Sequence, residues 1–176
     1  TIWLDKTGST NSEARKLFES RPEAADRMTI IATLSQTAGR GQGDHRWYSA
    51  AGESLTFSIL KRFDPGEIAA RDCPRINSLV TPVITGFLEA EGVGGVWVKP
   101  PNDIWVKDRK ICGILIENVL NGEWIDVSII GIGLNLNTTS FPADLPNPVS
   151  LKMLTGRDYE PHEVLRRLAR EFSRRL

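Results

Sequence analysis

The sequence predicts an α+β fold in which a mixed, largely antiparallel sheet carries helices mainly on one side. Three observations lead to this prediction. Strand-like segments come first, an amphipathic helical segment is inserted among them, and further strands and a terminal helix follow. The 176 residues suffice for one domain with its own core, and no internal repeat or low-complexity tract divides them. We therefore expect residues 1–176 to form a single domain.

The N-terminal part predicts three strands, one helix and one long loop. Residues 2–5 form a short strand-like segment, and the polar residues 8–13 can cap a helix that follows them. The β-branched segment 29–34 and the alternating segment 54–60 predict two further strands. Residues 35–53 between these strands are glycine-rich. Loops of that length are uncommon in compact domains unless they serve a function or are disordered.

The C-terminal part predicts an amphipathic helix, an antiparallel meander and a terminal helix. Residues 75–91 carry apolar side chains at helical spacing, and residues 141–148 are proline-rich and irregular. The predicted strands of the meander cover residues 96–98, 104–106, 111–119 and 124–132, with an Asn121-Gly122 hairpin turn between the last two. The terminal helix begins at Pro161 and places on one face Val164, Leu165, Leu168, Ala169 and Phe172.

Charge, hydropathy and cysteine content exclude several classes of function. Lys and Arg total 22 and Asp and Glu total 22, so no excess charge is available to bind a nucleic-acid backbone. No apolar run reaches the roughly 18 residues of a membrane span, and the first residues lack the layout of a signal peptide. Cys73 and Cys112 lie far apart in sequence and predict free thiols. We expect a cytoplasmic protein with no membrane or nucleic-acid partner.

The most unusual stretch of the sequence runs from residue 36 to residue 47. Glycines at Gly39, Gly41 and Gly43 predict a nest of backbone N–H groups that converge on an anion. Arg40 adds positive charge, and Trp47 offers a flat apolar face for a ring. The alternative is a mobile surface loop. The glycine spacing matches neither a P-loop nor a dinucleotide-binding turn.

Three further segments contain groups that could serve a site. The segment Lys99-Pro100-Pro101-Asn102-Asp103 combines a cation, a stiff bend and two short polar side chains, although a simple β-turn explains it as well. Lys110 follows a turn at the start of a strand, where a solvated edge charge is the alternative. Residues 131–137 end a strand with two glycines and two amides, which indicates a bulge or a close approach by a ligand.

Together and in order, these segments resemble the successive motifs of the biotin protein ligases. The resemblance covers most of the chain. The five motifs are Ser9-Thr10-Asn11, Gln36-Thr37-Ala38-Gly39-Arg40-Gly41 with Trp47, Lys99-x-Pro101-Asn102-Asp103, Lys110-x-x-Gly113-Ile114-Leu115 and Gly131-x-Gly133-x-Asn135.

The resemblance implies a two-step reaction. Biotin and Mg-ATP give biotinoyl-5′-AMP and pyrophosphate, and a lysine of a biotin carboxyl carrier domain then attacks the acyl group and releases AMP. Joining a carboxylate to an α-phosphate brings two anions together, so such a site needs fixed cations and N–H donors. ATP and Mg²⁺ are therefore the implied cofactors, and biotin, ATP and the carrier domain are the implied partners.

The resemblance also assigns roles to residues. The catalytic residues it implies are Lys110, Arg40 and Asp103, with Asp103 helping to deprotonate the incoming lysine and, with Asn102, holding Mg²⁺. The biotin-binding residues are Ser9, Thr10, Asn11, Gln36, Gly39, Arg40, Lys110, Gly113 and Leu115. The ATP-binding residues are Gly41, Gln42, Gly43, Trp47, Lys99, Asn102 and Asn135.

The sequence departs from the family pattern at several points. Gln42-Gly43-Asp44 stands where the family often has Arg-Arg-Gly, so looser retention of the acyl-adenylate is expected. Pro100 stands where the family usually has Trp, which alters one wall of the pocket. We also expect no N-terminal helix-turn-helix segment and a C-terminal SH3-like domain that is absent or truncated.

Alternative functions remain open at the level of the sequence. A lipoate or octanoate ligase or transferase would share the fold, and a non-catalytic biotin- or nucleotide-binding module would share the site without turnover. A general RNA-binding domain is a third alternative, which the zero net charge disfavours. A homodimer is also left open. We expect the glycine-rich loop to be mobile in the free protein and to close over the adenylate.

Overall fold

The computed structural model describes residues 1–26 and 28–176, and within them the chain forms nine strands and four α-helices. The strands are β1 (Ile2–Leu4), β2 (Thr29–Thr33), β3 (Gly39–Arg40), β4 (Arg46–Trp47), β5 (Ser54–Arg62), β6 (Val96–Lys99), β7 (Asp103–Val106), β8 (Arg109–Asn121) and β9 (Trp124–Asn135). The helices are α1 (Thr10–Ser20), α2 (Pro74–Ala90), α3 (Leu151–Thr155) and α4 (Pro161–Arg175).

Seven of the strands form one mixed sheet in the order β1-β2-β5-β9-β8-β7-β6. β1 is parallel to β2, and every other neighbouring pair in this sheet is antiparallel. β3 and β4 form a separate two-stranded sheet. The predicted α+β class, with a mixed and largely antiparallel sheet, is therefore confirmed, and the predicted meander is the run from β6 to β9.

The hairpin of β8 and β9 forms the centre of the sheet. Its strands have 13 and 12 residues, and the turn between them contains Gly122 at φ 61°. The Asn121-Gly122 signal correctly predicted this turn, because glycine adopts a positive φ without steric cost. The outer side of β9 pairs with β5 from Ser54↔Asn135 to Arg62↔Val127, which brings distant parts of the chain together.

Both faces of the sheet are covered. On one face, α2, α3 and α4 enclose a core in which the rings of Phe57 and Phe172 lie 6.2 Å apart. On the other face α1 packs its Ala14 against Ile31 and Ile129 of the sheet. Three of the four helices thus lie on one side, as predicted. Since β5 is covered on both faces, its alternating sequence does not mark an exposed face. Ser54, Thr56 and Ser58 of β5 are all buried, and Ser58 contacts α1.

Two local predictions differ from the structure. The segment 35–53, predicted as a loop, contains the β3–β4 hairpin. Its strands have only two residues each, which is too short to produce a recognisable strand pattern in the sequence. The short helix α3 was not predicted, although Ser150 caps it by accepting a hydrogen bond from the Met153 N–H at 3.2 Å. In the described part of the chain no helix is long and apolar enough to cross a membrane.

The two cysteines are free thiols in different environments, and this gives a simple test of the fold. Cys73 is exposed. Cys112, on β8, is fully buried in the main core, and this burial raises the pKa of its thiol. We expect a thiol-specific disulfide reagent to modify one cysteine in the native protein and both in urea. Rapid modification of both thiols before unfolding would contradict the position of Cys112.

Candidate active site

A cavity of ≈ 380 Å³ lies on the α1 face of the sheet. The start of α1, the β3–β4 hairpin, the β6–β7 connection and the centres of β8 and β9 enclose it. Its volume falls in the range of small-molecule pockets. The predicted site residues that line it are Ser9, Thr10, Asn11, Gln36, Arg40, Gly41, Gln42, Trp47, Lys99, Asn102, Asp103, Lys110, Gly113 and Leu115.

Three glycines form the floor of the cavity. Gly113 of β8 pairs with Gly133 of β9, and Gly131 lies two residues earlier on the same face. A Cβ atom on Gly133 would collide with the indole of Trp47, and one on Gly113 would lie 3.0 Å from it. At Gly131 the added atom would collide with the amide of Asn11. Glycine is required here because the indole and the amide lie directly on the strands.

The start of α1 supplies neutral polar groups to one end of the cavity. Ser9 is the N-cap residue, but its side chain does not cap the helix. The backbone N–H of Thr10 instead donates to Gln36 Oε1 at 2.9 Å, which fixes the Gln36 side chain across the loop. The hydroxyl of Ser9 and the Nε2 group of Gln36 are the groups that this arrangement makes available to a ligand.

A buried hydrogen-bond network lies behind this end of the cavity. The hydroxyl of Ser58, on β5, is 2.8 Å from Thr10 Oγ1 and 2.5 Å from Asn11 Oδ1. The Asn11 Nδ2 group donates to Glu117 Oε2 at 2.7 Å. Asn11 was predicted to bind ligand, but both ends of its amide are engaged by protein atoms. Asn11 therefore supports the wall of the cavity through its contacts with Ser58 and Glu117.

The opposite end of the cavity is cationic. Lys110 Nζ lies 2.8 Å from Asp103 Oδ1, and about 29% of the lysine side chain and 28% of the aspartate side chain are exposed. The same Nζ lies 5.7 Å from the centre of the Trp47 ring. Lys99 Nζ lies 4.1 Å above the ring of Trp105. Lys99 and Lys110 therefore lie at this end of the cavity, whereas the guanidinium of Arg40 contacts Glu117, the carboxylate that also binds Asn11.

The predicted nest of backbone N–H groups is not formed. The Gly41 N–H donates to the His45 carbonyl at 2.7 Å, and Gly39 is buried and pairs with Trp47 in the β3–β4 hairpin. Gly43 is exposed near the tip of this hairpin at φ 61°. Gly39 and Gly43 do not line the cavity. These glycines form part of the hairpin that contains Arg40 and Trp47. Positive charge at this wall therefore comes from side chains and not from backbone N–H groups.

Asn135 also differs from its prediction. It is 4% exposed, and its Nδ2 group donates to the Val149 carbonyl at 3.1 Å. Asn135 does not line the cavity. The side chain joins the end of β9 to the segment that leads into α3, so the structure gives it a supporting role. The sequence pattern alone could not distinguish ligand binding from structural support, because an amide at the end of a strand can do either.

Asn102 and Asp103 provide the oxygen atoms available for a metal. In residues 1–26 and 28–176 no cluster of three or more His, Cys, Asp or Glu side chains could hold an ion. Asp103 uses Oδ1 for Lys110, and Asn102 uses Nδ2 to donate to the Ile114 carbonyl. One carboxylate oxygen and one amide oxygen remain. This donor set fits Mg²⁺ that arrives with nucleotide phosphates, since Mg²⁺ commonly takes few protein ligands.

Sequence reasoning missed several residues of the site. Glu117 lies on the same face of β8 as Gly113 and Leu115, and this spacing of two could have identified it. Ser58 gave no comparable signal, because its role depends on the contact between β5 and α1. His45 and Arg46 line the cavity as part of the hairpin that was predicted as a loop.

Comparison with known proteins places this site in a family. Over 175 residues the chain is 30% identical to a biotin–[acetyl-CoA-carboxylase] ligase of Paracoccus denitrificans, covering 97% of this chain and 70% of the relative. It is 30% identical over 178 residues to the bifunctional ligase/repressor BirA of Bacillus subtilis, covering 99% of this chain and 53% of that protein. The chain thus spans about half the length of the BirA relatives from Bacillus.

The solved structures agree. A biotin protein ligase from Aquifex aeolicus in complex with biotin and ATP superimposes with a TM-score of 0.77 at 28% identity, covering 99% of this chain and 68% of that one. Residues 5–135, which contain every predicted site residue, match the family described as the biotin/lipoate A/B protein ligase family. With this match and the 30% identity to the Paracoccus enzyme, the chain belongs to the biotin/lipoate A/B protein ligase family.

Proposed function

We propose that the chain is the catalytic domain of an ATP-dependent biotin protein ligase. The observation that carries the proposal is the division of one cavity into two ends. Ser9 and Gln36, the latter held by Thr10, offer neutral hydrogen-bonding groups at one end, which suits the ureido ring of biotin. Lys110 and Lys99 offer positive charge at the other, which suits a carboxylate and a phosphate. The relatives named as biotin ligases support this reading.

In the first step a carboxylate oxygen of biotin attacks the α-phosphorus of ATP. A bond forms between that oxygen and phosphorus, the bond from the α-phosphorus to the bridging oxygen breaks, and pyrophosphate leaves with the electron pair. Negative charge accumulates on the phosphoryl oxygens during this exchange. Lys110, already fixed by Asp103 at 2.8 Å, is placed to stabilise that charge without reorientation.

In the second step the amine of a carrier lysine attacks the acyl carbon of biotinoyl-5′-AMP. An amide bond forms, and the bond from the acyl carbon to the phosphate oxygen breaks, which releases AMP. The attacking ammonium must lose a proton first. Asp103 can accept it, because its carboxylate is partly exposed at the cavity.

The proposal includes Mg²⁺ as a cofactor of the first step. When bound, it would neutralise charge on the nucleotide phosphates. Asp103 and Asn102 are the residues that would hold it, through the carboxylate and amide oxygens described above. The residues predicted to bind ATP, including Lys99 and Trp47, lie along the same wall.

A lipoate or octanoate ligase is the second candidate, because the family contains lipoate as well as biotin ligases. A non-catalytic binding module is the third. The polar end of the cavity favours biotin over lipoate, since the aliphatic chain of lipoate has no hydrogen-bonding groups for Ser9 and Gln36 to meet.

Biotin-dependent exchange of label between pyrophosphate and ATP tests the proposal. The assay reports the first step and needs no carrier protein. We expect exchange with biotin and none above background with lipoate. Exchange with lipoate alone would assign the second candidate. Binding of biotin by calorimetry without any exchange would indicate a binding module.

The proposed reaction also implies a protein partner. A biotin carboxyl carrier domain is the partner that the second step requires, and the described residues form one catalytic domain. Location in the cytoplasm, a homodimer and closure of the β3–β4 hairpin over the adenylate stay predictions.

A further inference from the structure

We propose that Glu117 is a positioning residue that holds Arg40 in place at the wall of the cavity and joins it to the hydrogen-bond network behind the polar end. The inference rests on the proposed function for its kinetic consequences, although the contact itself can be tested without catalysis.

The first observation is the contact between Arg40 and Glu117. Arg40 Nη2 lies 2.9 Å from Glu117 Oε2, and the side chains are 46% and 23% exposed. This contact engages one terminal nitrogen of the guanidinium, whose remaining N–H groups can bind an anion in the cavity. The carboxylate therefore fixes the orientation of Arg40 without using its capacity for a ligand.

The second observation is the difference in rigidity between the two elements. Glu117 lies in the middle of β8, which pairs with β9 along most of its length. Arg40 lies on β3, a strand of two residues in a hairpin outside the main sheet. Since a short isolated hairpin is weakly held, the pair with Glu117 is a direct anchor from the hairpin to the main sheet.

The third observation is that one oxygen joins Arg40 to the polar end of the cavity. Glu117 Oε2 accepts from Arg40 and also from Asn11 Nδ2, at 2.7 Å. Asn11 in turn contacts Ser58, which contacts Thr10, which hydrogen-bonds Gln36. A shift of this carboxylate would disturb both the cation and the polar end. Arg15 also approaches Glu117, but its guanidinium lies 3.8 Å from Oε1, which is too far for a hydrogen bond.

The Glu117→Gln variant tests the inference. Glutamine retains the size of the side chain and an oxygen that can accept from Asn11, but it lacks the charge that pairs with Arg40. We expect kcat/KM for biotin in pyrophosphate exchange to fall about tenfold, since charge-assisted hydrogen bonds are roughly twice as strong as neutral ones. Glu123→Gln, in the exposed turn of the same hairpin, is the matched control and should leave the rate unchanged.

A double-mutant cycle separates positioning from general damage to the fold. If Glu117 acts through Arg40, Glu117→Gln should have less than about a twofold further effect in an Arg40→Ala background, because contacting residues are not additive. Equal effects of Glu117→Gln in both backgrounds, or no effect in either, would overturn the proposal. Thermal unfolding of each variant checks that the fold is retained.

A second readout does not depend on turnover. The Nη–H resonances of Arg40, assigned by their loss in Arg40→Lys, should exchange more slowly with water in the wild type than in Glu117→Gln. The same exchange rate in both proteins would overturn the positioning role. Absence of biotin-dependent exchange in the wild type would refute the proposed function, while this measurement would still decide whether Glu117 holds Arg40.

Discussion

Replacing Lys110 with alanine is expected to lower the rate of biotin-dependent pyrophosphate exchange by about a hundred- to a thousandfold, the cost of removing one preorganised charge-stabilising group. Biotin affinity should change much less. Lys110 lies at the cationic end of the cavity, away from the neutral groups of Ser9 and Gln36 that we assign to the ureido ring. Calorimetry and exchange kinetics on the same preparation would measure the two quantities.

The physical reason is that the charge on Lys110 serves the transition state more than the bound substrates. Loss of an interaction that strengthens as charge develops lowers kcat, whereas loss of uniform binding raises KM. The fold should be retained, because the lysine and Asp103 are both partly exposed and water can solvate the carboxylate left behind. A loss of biotin affinity as large as the loss of rate would contradict this division of roles.

The control for this prediction is Lys107→Ala. Lys107 lies three positions earlier in the turn between β7 and β8 and is exposed outside the cavity. It carries the same charge, so a general effect of lowering the net charge would appear in both variants. Exchange at the wild-type rate in Lys110→Ala, or an equal loss in Lys107→Ala, would remove Lys110 from the mechanism.

The Arg40→Ala variant is expected to slow both half-reactions, each by about a hundredfold, at the lower end of the range for one such group. Arg40 lines the cavity, and we propose that its free N–H groups contact the biotin carboxylate in the first step and the adenylate phosphate in the second. The anion is present in both steps, so both should suffer. Pyrophosphate exchange measures the first, and transfer from preformed biotinoyl-5′-AMP to a carrier domain measures the second.

Two variants bracket this prediction. Arg40→Lys retains the charge but lacks the planar fork that can hold Glu117 and an anion together, so we expect partial recovery. Arg21→Ala removes an exposed arginine just beyond α1 and should match the wild type. Normal transfer of a preformed adenylate by Arg40→Ala would restrict the role of Arg40 to the first step.

The sequence predicted the local elements of this fold well. Helices α2 and α4 and the turn at Asn121-Gly122 follow from hydrophobic spacing and from the need for a positive φ at Gly122. Such signals involve residues close together in the chain. The placement of β5 between β2 and β9 gives no such signal, because the partners of one strand are chosen by packing across the whole sheet.

In the candidate site, too, the sequence identified the chemical groups, and the tertiary structure decided where they lie. The motifs identified Lys110, Asp103 and Arg40 as chemical groups, and the structure brings all three to one cavity. The predicted ATP-binding residues also included Asn135 and Gly43, which do not line that cavity. A motif records which residues occur at a spacing, whereas the direction of a side chain depends on what packs against it.

By itself the sequence determined the fold class, most of the strands and helices, and the chemical nature of the site, because these depend on residue type and short-range spacing. Only the tertiary structure decided that Asn11 supports the wall, that Ser58 and Glu117 belong to the site, and that the glycine-rich segment forms a hairpin. The reason is physical. Each of these facts arises from contacts between residues distant in the chain, where the fold decides which hydrogen-bonding groups meet.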